Sequence, residues 1–271
     1  MSVNFDISGK TAVITGAAGV ICSVMARELA KKGVNVALLD LFDQKAQQIA
    51  DEINAEGGNS IAYKVNVLEK ESLINARRYV QEHFKTVDIL INGAGGNNKD
   101  ATTSPEIRFF DISIDALRWV FDLNVMGAIL TTQVFGELIT ESGKGNVINI
   151  ASMASILPLT NTVAYSSAKA AVVNFTQWMA VHFNQNYSKD IRVNAIAPGF
   201  LLTEQNRFLM QKEDGTPTIR GQKVLDKTPM ARYGEPAELA GSVVWLCSDA
   251  ASFVNGAVIP IDGGFSAFWG I

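Results

Sequence analysis

Short apolar runs alternate along the chain with longer stretches in which apolar residues recur at helical spacing. Seven runs are rich in β-branched residues and apolar at successive positions, a pattern typical of parallel strands covered on both faces. They are Thr11–Thr15, Val34–Asp40, Ser60–Asn66, Val87–Asn92, Asn146–Ser152, Ile191–Pro198 and Ala257–Asp262. Helical stretches separate most of them, which predicts right-handed βαβ crossovers. We therefore expect a doubly wound α/β fold, with a parallel sheet of about seven strands and helices on both faces.

Two irregular segments interrupt this alternation, and each follows a predicted strand. Gly93–Phe110 is rich in glycine and asparagine, and Gly199–Gly221 mixes apolar with charged residues. Ligands of open α/β sheets bind beyond the carboxyl ends of the strands, where these segments begin. We therefore interpret 199–221 as a substrate lid. Because the chain contains no repeat or linker-like stretch, residues 1–271 are interpreted as one domain.

Composition narrows the class of protein. The chain has 271 residues, of which 48% are hydrophobic and 18% charged, and its net charge is −4, which predicts a globular protein with a sizeable core. No basic run of five residues occurs, so we expect neither a nucleic acid nor a membrane as partner. The cysteines Cys22 and Cys247 are isolated and form no disulfide framework, and no signal-like N-terminus is present. A cytoplasmic location is the expectation.

The stretch "TAVITGAAGVICSVMARELAKKG" reads as a strand, a glycine turn and a helix, the layout of a dinucleotide-binding loop. Gly16 follows the strand, and the backbone N–H groups at the following helix start would bind a pyrophosphate. Val20 and Cys22 stand where smaller residues are usual. Since valine rarely adopts a positive φ, we expect Gly19 to take the conformationally flexible position. Cys22 is small enough to allow close packing of the helix on the strand.

Asp40 ends the second predicted strand, about 20 residues beyond this loop, where a carboxylate accepts hydrogen bonds from the adenosine ribose. A 2′-phosphate would meet like charge there, and the following residues are Leu41, Phe42 and Asp43 rather than a cation. The pattern favours NAD(H), with NADP(H) as the alternative. A solvated acid at a strand end is the structural alternative for Asp40 itself.

Tyr165 and Lys169 are four residues apart and therefore lie on one face of a predicted helix. A nearby ammonium group would lower the pKa of the tyrosine from about 10 toward neutrality, which suits a general acid or base. This spacing alone is common by chance. The histidines His83 and His182 have no metal-ligand spacing, so we predict surface positions for them and no metal site.

Several motifs occur together in one order. They are "TGAAGVI", "NGAG" from Asn92, "LNVMG" from Leu123, Ser152, "YSSAK" from Tyr165, "IAPG" with Thr203, and a closing "IDGG" from Ile261. The set resembles the short-chain dehydrogenase/reductase family over nearly the whole chain. The resemblance implies a Rossmann fold and an NAD(P)-dependent oxidoreductase acting on CH–OH groups.

The resemblance also implies roles for individual residues. Tyr165 would be the catalytic acid/base, Lys169 would bind the nicotinamide ribose, and Ser152 would bind the substrate oxygen. Asn124 would hold a water in the proton relay. The implied cofactor-binding positions are Gly16, Gly19, Val20, Ile21, Asp40, Asn66, Val67, Asn92, Gly93, Ala94, Tyr165, Lys169, Pro198, Gly199 and Thr203.

This chain departs from the family pattern at four positions. Val20 and Cys22 replace glycines, Gly93 replaces the second asparagine of N-N-A-G, and Asn66 stands where an aspartate often contacts adenine. The amide of Asn66 can still accept and donate, so we expect adenine contact to survive. The loop is therefore interpreted as atypical but functional.

The substrate is suggested by a narrower resemblance. "GVICSVMA", "GAGGNN", "GFLLTEQNRFL" and "IDGGFSAFWGI" resemble the D-mannonate oxidoreductase (fructuronate reductase) branch, which implies reduction of D-fructuronate to D-mannonate. A sugar acid needs a cation for its carboxylate, and Arg207 is the candidate, with a surface position on a lid helix as its alternative. The candidates for the hydroxyl groups are Asn97, Asn98, Gln205 and Asn206.

Other functions remain open at this point. Within the family, they are a 5-ketogluconate or polyol dehydrogenase and a 3-oxoacyl reductase. Outside it, the alternative is a non-catalytic NAD-sensing binding protein, which the complete candidate catalytic set opposes. No G-x-S-x-G motif suggests a hydrolase. The resemblance implies a homotetramer, and the aromatic end with Phe265, Phe268 and Trp269 would pack across a subunit contact, on its own core or over the active site.

Overall fold

The predicted runs form a single parallel sheet. The computed structural model describes residues 3–203 and 206–270. The strands are β1 (Thr11–Thr15), β2 (Asn35–Asp40), β3 (Asn59–Lys64), β4 (Ile89–Asn92), β5 (Lys144–Ile150), β6 (Asp190–Pro198) and β7 (Val258–Ile261). Their order in the sheet is β3-β2-β1-β4-β5-β6-β7, and every neighbouring pair is parallel. The predicted fold class is confirmed, and strand ends shift by at most two residues.

The crossovers between strands are helical. The helices are α1 (Val20–Lys31), α2 (Asp43–Ala55), α3 (Lys70–Phe84), α4 (Ile114–Phe121), α5 (Gly127–Ser142), α6 (Val163–Asn186), α7 (Arg207–Met210), α8 (Ile219–Lys227) and α9 (Ala240–Cys247). A π-helical turn, Asp122–Met126, joins α4 to α5. Such turns widen a helix locally and often occur at functional sites.

Two apolar layers sandwich the sheet. Ala12 and Ile14 of β1 face a layer formed with α1, α2 and α9, whereas Val13 faces a layer formed with α3, α5 and α6. All five residues of β1 are buried, which is why this strand is apolar at successive positions. Cys22 and Cys247 are buried free thiols on α1 and α9.

The continuous helical stretch Ile114–Ser142 is long and apolar enough to cross a membrane by length and composition. However, 56% of its apolar window is buried within the fold. Phe135 and Ile139 of α5 belong to the layer over β1 and β4. The hydrophobicity of this stretch is therefore that of a core helix.

The topology brings two loops together. Chain order runs outward from β1 in one direction to β3 and resumes at β4 on the other side of β1. The loops after β1 and β4 therefore start side by side, and the helices that follow them lie on opposite faces of the sheet. The crevice at such a point is the usual ligand site of this architecture. The irregular segment after β4 has two short 3₁₀ turns, Lys99–Ala101 and Phe109–Asp111, whereas 199–221 contains α7 and the start of α8.

Candidate active site

Helix α6 places Tyr165 and Lys169 one turn apart at the carboxyl end of the sheet. The Lys169 Nζ donates a hydrogen bond to the backbone oxygen of Ile150 at 2.7 Å, and it lies 5.7 Å from the centre of the Tyr165 ring. Lys169 is buried, and burial lowers the pKa of its ammonium group to about 8. The lysine is therefore anchored to the end of β5 with its charge close to the phenol.

The pKa of Tyr165 moves in the opposite direction from the expected one. Burial raises it above the usual value of 10, and a hydrogen bond with the Ser152 side chain offsets only part of that shift. The expectation of a lowered pKa was wrong because desolvation of the phenolate outweighs the stabilising contacts. At neutral pH the phenol therefore stays protonated, which is the form that a general acid requires.

Ser152 lies just beyond β5. Its Oγ accepts a hydrogen bond from the backbone N–H of Ala154 at 3.1 Å and begins the 3₁₀ turn Met153–Ser155. The Ser155 Oγ donates to the Ser152 backbone oxygen at 2.5 Å. These bonds, together with the hydrogen bond between its side chain and the phenol, fix the serine next to Tyr165.

Asn124 is buried in the π-helical turn and binds the loop after β4. Its Nδ2 donates to the backbone oxygens of Gly96 at 2.7 Å and Val120 at 2.8 Å, and its Oδ1 accepts from the Gly96 N–H at 3.2 Å. A Cβ at Gly95 would lie 2.7 Å from this Oδ1 and 3.2 Å from the Lys169 Nζ. The structure thus brings all four predicted catalytic side chains together.

The glycine loop after β1 is held against the loop after β4. Gly16 has φ = 64°, and a Cβ there would lie 2.8 Å from the backbone of Ala94. Gly19 has φ = −70° and ψ = 154°, so the expectation that it takes the left-handed position was wrong. Gly16 makes the sharp turn, and Gly19 is instead the N-cap of α1, with Val20 and Ile21 in the first helical turn.

Asp40 is buried at the end of β2 and faces this loop. One carboxylate oxygen accepts from the Ala18 N–H at 2.9 Å, and the other accepts from the Phe42 N–H at 2.9 Å. The carboxylate therefore holds the glycine loop while its remaining lone pairs can accept from hydroxyl groups. The side chains of Leu41 and Phe42 are exposed beside it.

These features fit a dinucleotide. The close approach at Gly16 leaves a cradle that a Cβ would fill. Among the described residues, no side chain caps the N-terminus of α1, so its first N–H groups suit a phosphate. Asp40 at the end of β2, Lys169 at the end of β5 and the N–H groups at the start of α1 all lie at the carboxyl end of the sheet.

The remaining predicted cofactor positions lie at or beyond the carboxyl ends of other strands. Asn66 and Val67 follow β3. The Asn66 Nδ2 donates to the Glu69 Oε1, and its Oδ1 accepts from the Leu68 N–H, so the expected contact with adenine would compete with these bonds. Pro198 ends β6, and the Gly199 N–H donates to Ile261 at 2.9 Å. The Thr203 N–H donates to the Asn206 Oδ1 at 2.8 Å.

Two departures from the family pattern occupy one location. A Cβ at Gly93 would overlap the Sγ of Cys22. Cys22 is buried, as expected from its close packing on the strand. The sulfur therefore lies in space that is available only because residue 93 lacks a side chain.

The predicted substrate amides have partners within their own loops. The Asn97 Nδ2 donates to the Thr102 Oγ1 at 3.0 Å, and the Asn98 Oδ1 accepts from the Asp100 N–H at 2.9 Å. The Asn206 Nδ2 donates to the Leu201 backbone oxygen at 2.8 Å, so both polar ends of Asn206 bind backbone. This arrangement favours a positioning role for Asn206.

Arg207 begins α7 on the surface, and its Nη1 donates to the Gln211 Oε1 at 3.0 Å. Gln205, the fourth predicted hydroxyl partner, lies outside the described residues. The structure thus places Asn97 and Asn98 in the loop after β4, and Asn206 and Arg207 in the segment after β6.

Sequence reasoning missed a buried polar network below the site. The Asn92 Nδ2 donates to the Thr132 Oγ1 at 2.9 Å and to the Asn149 Oδ1 at 2.8 Å, and the Asn149 Nδ2 donates to the Thr176 Oγ1 at 2.8 Å. The network connects β4, β5, α5 and α6. The available signal was Asn149, a polar residue inside an apolar strand.

The histidines and the aromatic end lie elsewhere. His83 is exposed, and half-buried His182 stacks on Trp178 with ring centres 4.6 Å apart.

Phe265 contacts Phe200 edge-on, with ring centres 5.1 Å apart. The Lys227 Nζ lies 5.7 Å from the ring centre of Phe268, whereas Trp269 is exposed. Phe265 and Phe268 therefore pack on the segment 199–230 of their own chain.

Comparison with known proteins extends along almost the whole chain. The family model described as enoyl-(acyl carrier protein) reductase matches residues 16–266. The uncharacterised oxidoreductase UxuB of Bacillus subtilis is 46% identical over 275 residues, which cover 98% of each chain. The 5-keto-D-gluconate 5-reductase of Escherichia coli K12 is 32% identical over 261 residues, which cover 96% of each chain.

A solved structure resembles the whole fold. It is that of a candidate D-mannonate oxidoreductase from Haemophilus influenzae with bound NAD. The two chains are 47% identical, the match covers 98% of each, and the TM-score is 0.93. The similarity therefore includes the sheet, the glycine loop and α6.

Proposed function

Because the chain belongs to the short-chain dehydrogenase/reductase family, whose members are NAD(P)-dependent oxidoreductases acting on alcohol and keto groups, we propose that it reduces D-fructuronate to D-mannonate. The observation that carries this proposal is the full-length similarity to the Haemophilus influenzae structure, described as a candidate D-mannonate oxidoreductase with bound NAD. The raised pKa of Tyr165 supports reduction, because the phenol is protonated at neutral pH.

The proposed mechanism uses the four side chains at the carboxyl end of the sheet. When bound, the nicotinamide supplies the hydride that reduces the ketone. Ser152 donates a hydrogen bond to the ketone oxygen, and Tyr165 transfers its proton to that oxygen as negative charge develops. The ammonium charge of Lys169 stabilises the phenolate that remains.

The hydrogen bonds of Lys169 and Asn124 define what each can still bind. An ammonium group has three donors, and one is used by Ile150, which leaves two for ribose hydroxyls. Both Nδ2 hydrogens of Asn124 are used, so a relay water would donate to its Oδ1. The proton lost by Tyr165 is replaced through this ribose and water route.

We propose NAD(H) as the preferred cofactor. The Asp40 carboxylate is buried at the position expected for the adenosine ribose, and the N–H groups of Ala18 and Phe42 hold it there. A 2′-phosphate would approach this negative charge, which costs energy that ribose hydroxyls do not. A preference for NADPH over NADH would contradict this assignment.

We propose that the 199–221 segment of a single 1–271 domain closes over the substrate, with Arg207 binding the carboxylate and Asn97 and Asn98 contributing polar contacts. Support comes from the place of the segment after β6 and from its exposed apolar side chains. Phe208 and Ile219 are 72% and 82% exposed. Such side chains are suited to contacts that form on closure.

Purified protein should oxidise NADH when D-fructuronate is added, as followed by the loss of NADH absorbance. NADPH, 5-keto-D-gluconate and an acetoacetyl thioester serve as parallel arms. The Tyr165→Phe protein is the control for turnover that depends on the site. Faster turnover of 5-keto-D-gluconate would keep the family mechanism and replace the substrate. NADH binding without turnover of any ketone would instead favour the cofactor-sensing alternative.

We propose a cytoplasmic homotetramer. The outer side of α6 exposes Trp178 and Val181, at 57% and 56%, which suits a contact between subunits. The buried free thiols Cys22 and Cys247 suit a reducing compartment. Light scattering of the purified protein tests the assembly, and a mass of one or two chains would contradict it.

A further inference from the structure

Cys22 and Gly93 are the two departures from the family pattern that share one volume. The sulfur belongs to the first turns of α1, and Gly93 directly follows β4. A Cβ at Gly93 would overlap the Cys22 Sγ and would lie 2.7 Å from the Thr15 backbone oxygen. The thiol and the missing side chain are therefore complementary.

The same short turn contacts the catalytic side chains two residues later. A Cβ at Gly95 would lie 2.7 Å from the Asn124 Oδ1 and 3.2 Å from the Lys169 Nζ. The turn Gly93–Gly95 thus lies between the sulfur on one side and the catalytic ammonium group on the other. Any displacement of this turn changes the environment of Lys169.

Cys22 acts here as an apolar group. Burial raises the pKa of its thiol to about 12, so it carries no charge at neutral pH. It is 3% exposed and lies near Lys169, whose ionisation is governed mainly by burial. The neutral, buried sulfur therefore adds an apolar group beside the Gly93–Gly95 turn.

We propose that Cys22 is a positioning residue for the reaction: seated in the space left by Gly93, it holds the Gly93–Gly95 turn against Lys169 and Asn124 and keeps water from the inner side of the lysine. The inference rests on the role proposed above for Lys169. Cys22 and Gly93 belong to separate motifs and occur together without loss of packing, because the sulfur fills the space that residue 93 leaves.

The groups around Lys169 determine what a titration would report. Among the described residues, the titratable ones that face it are Tyr165, from the same helix, and Cys22, from α1. The end of β5 contributes the Ile150 carbonyl, and the π-helical turn contributes the neutral amide of Asn124. Desolvation therefore dominates the ionisation of this lysine.

The test is an NMR titration of lysine ¹³Cε resonances in the protein without cofactor, with Lys169→Met used for assignment. Cys22→Ala should raise the pKa of Lys169 by about one unit, because water reaches the ammonium group. Cys22→Ser, which keeps most of the volume, should lie closer to the wild type. Cys247→Ala removes an equally buried thiol on α9 and should leave the titration unchanged.

A second measurement examines the Cys22–Gly93 pair directly. Gly93→Ala should lower the melting temperature by about 3–10 °C through overpacking. Combining it with Cys22→Ala should recover part of that loss, and the Thr15 contact should prevent full recovery. The proposal fails if Cys22→Ala leaves the Lys169 titration at the wild-type value, or if the two thermal effects simply add.

These measurements need no substrate, so their outcome is separate from that of the fructuronate assay. Steady-state kinetics add a third readout on any ketone that the enzyme reduces. Cys22→Ala should extend the activity to higher pH, whereas Cys247→Ala should keep the wild-type profile. An unchanged profile in both variants would assign Cys22 a packing role alone.

Discussion

The proton-transfer end of the site and the segment after β6 are held by different kinds of contact. Lys169 and Asn124 are buried, and their side chains bind the backbone at Ile150 and Gly96. The segment that follows β6 is instead a short surface helix, α7, with exposed apolar side chains. Buried hydrogen bonds to the backbone at the carboxyl end of the sheet fix the chemistry, whereas a surface segment allows substrate choice to change without disturbing it.

The largest effect should come from the fixed region. Tyr165→Phe removes the proton donor and should lower kcat by about 10²–10⁴-fold. NADH binding, measured by fluorescence titration, should stay within a few-fold because the ring and Lys169 remain. Turnover near the wild-type level in this variant would remove Tyr165 from the mechanism and weaken the contrast between the two regions.

The glycine loop belongs to the same fixed region and offers a second test. Gly16→Ala forces a side chain into φ = 64° and toward the backbone of Ala94 at 2.8 Å. Strain of about 1–3 kcal/mol should weaken NADH binding by about 5–150-fold.

Calorimetric titration measures the change. Gly215→Ala, at φ = 82° with no atom within 4 Å of the added Cβ among the described residues, is the matched control for strain alone. Equal NADH affinity in both variants would show that Gly16 does not contribute to cofactor binding.

The fixed region is also the part that the sequence predicted well. Its strands are continuous apolar runs, and a tyrosine and a lysine four apart must share a helical face, so local patterns determine where these groups lie. The raised pKa of Tyr165 was not predictable in this way, because it depends on burial by residues distant in sequence. The same holds for the overlap of Cys22 with Gly93, which only the crossing of α1 and β4 reveals.

The surface segment was predicted less well, for a physical reason. The amide of Asn206 is chemically suited to bind sugar hydroxyls, but it binds the backbone of Leu201 and Thr203 instead. Asparagine forms such local turns readily, and sequence cannot distinguish the two uses. Gly19 illustrates the same limit: a glycine is compatible with a positive φ, yet here it caps a helix with an ordinary one.

Arg207 provides a test of the substrate region with a smaller expected effect. Arg207→Ala should raise the KM for D-fructuronate by about tenfold through loss of a charge-assisted hydrogen bond. The KM for an uncharged ketone and the affinity for NADH should not change. Arg207→Lys should give an intermediate KM, because the charge remains and the bidentate geometry is lost. An equal increase for charged and uncharged ketones would exclude carboxylate recognition.

The pH dependence of ketone reduction returns to the fixed region. The pKa of Lys169 is lowered to about 8, so its charge is complete well below that pH and lost above it. Because the raised pKa of Tyr165 keeps the phenol protonated, the turnover rate should fall to about half near pH 8 through loss of the ammonium charge alone. A rate profile that stays flat to pH 10 would contradict this assignment.

The smallest effect should come from the exposed side chains of the surface segment. Phe208 is 72% exposed, so Phe208→Ser should change the free energy of unfolding by less than about 0.5 kcal/mol. If the segment closes over substrate, Phe208 contributes contacts only in the closed form, and the KM for the ketone should rise about two- to threefold. Phe253→Ser is the matched control, since Phe253 is fully exposed on a loop before β7. A rise in KM confined to Phe208→Ser would locate substrate closure in the segment after β6, whereas equal values would leave α7 as an ordinary surface helix.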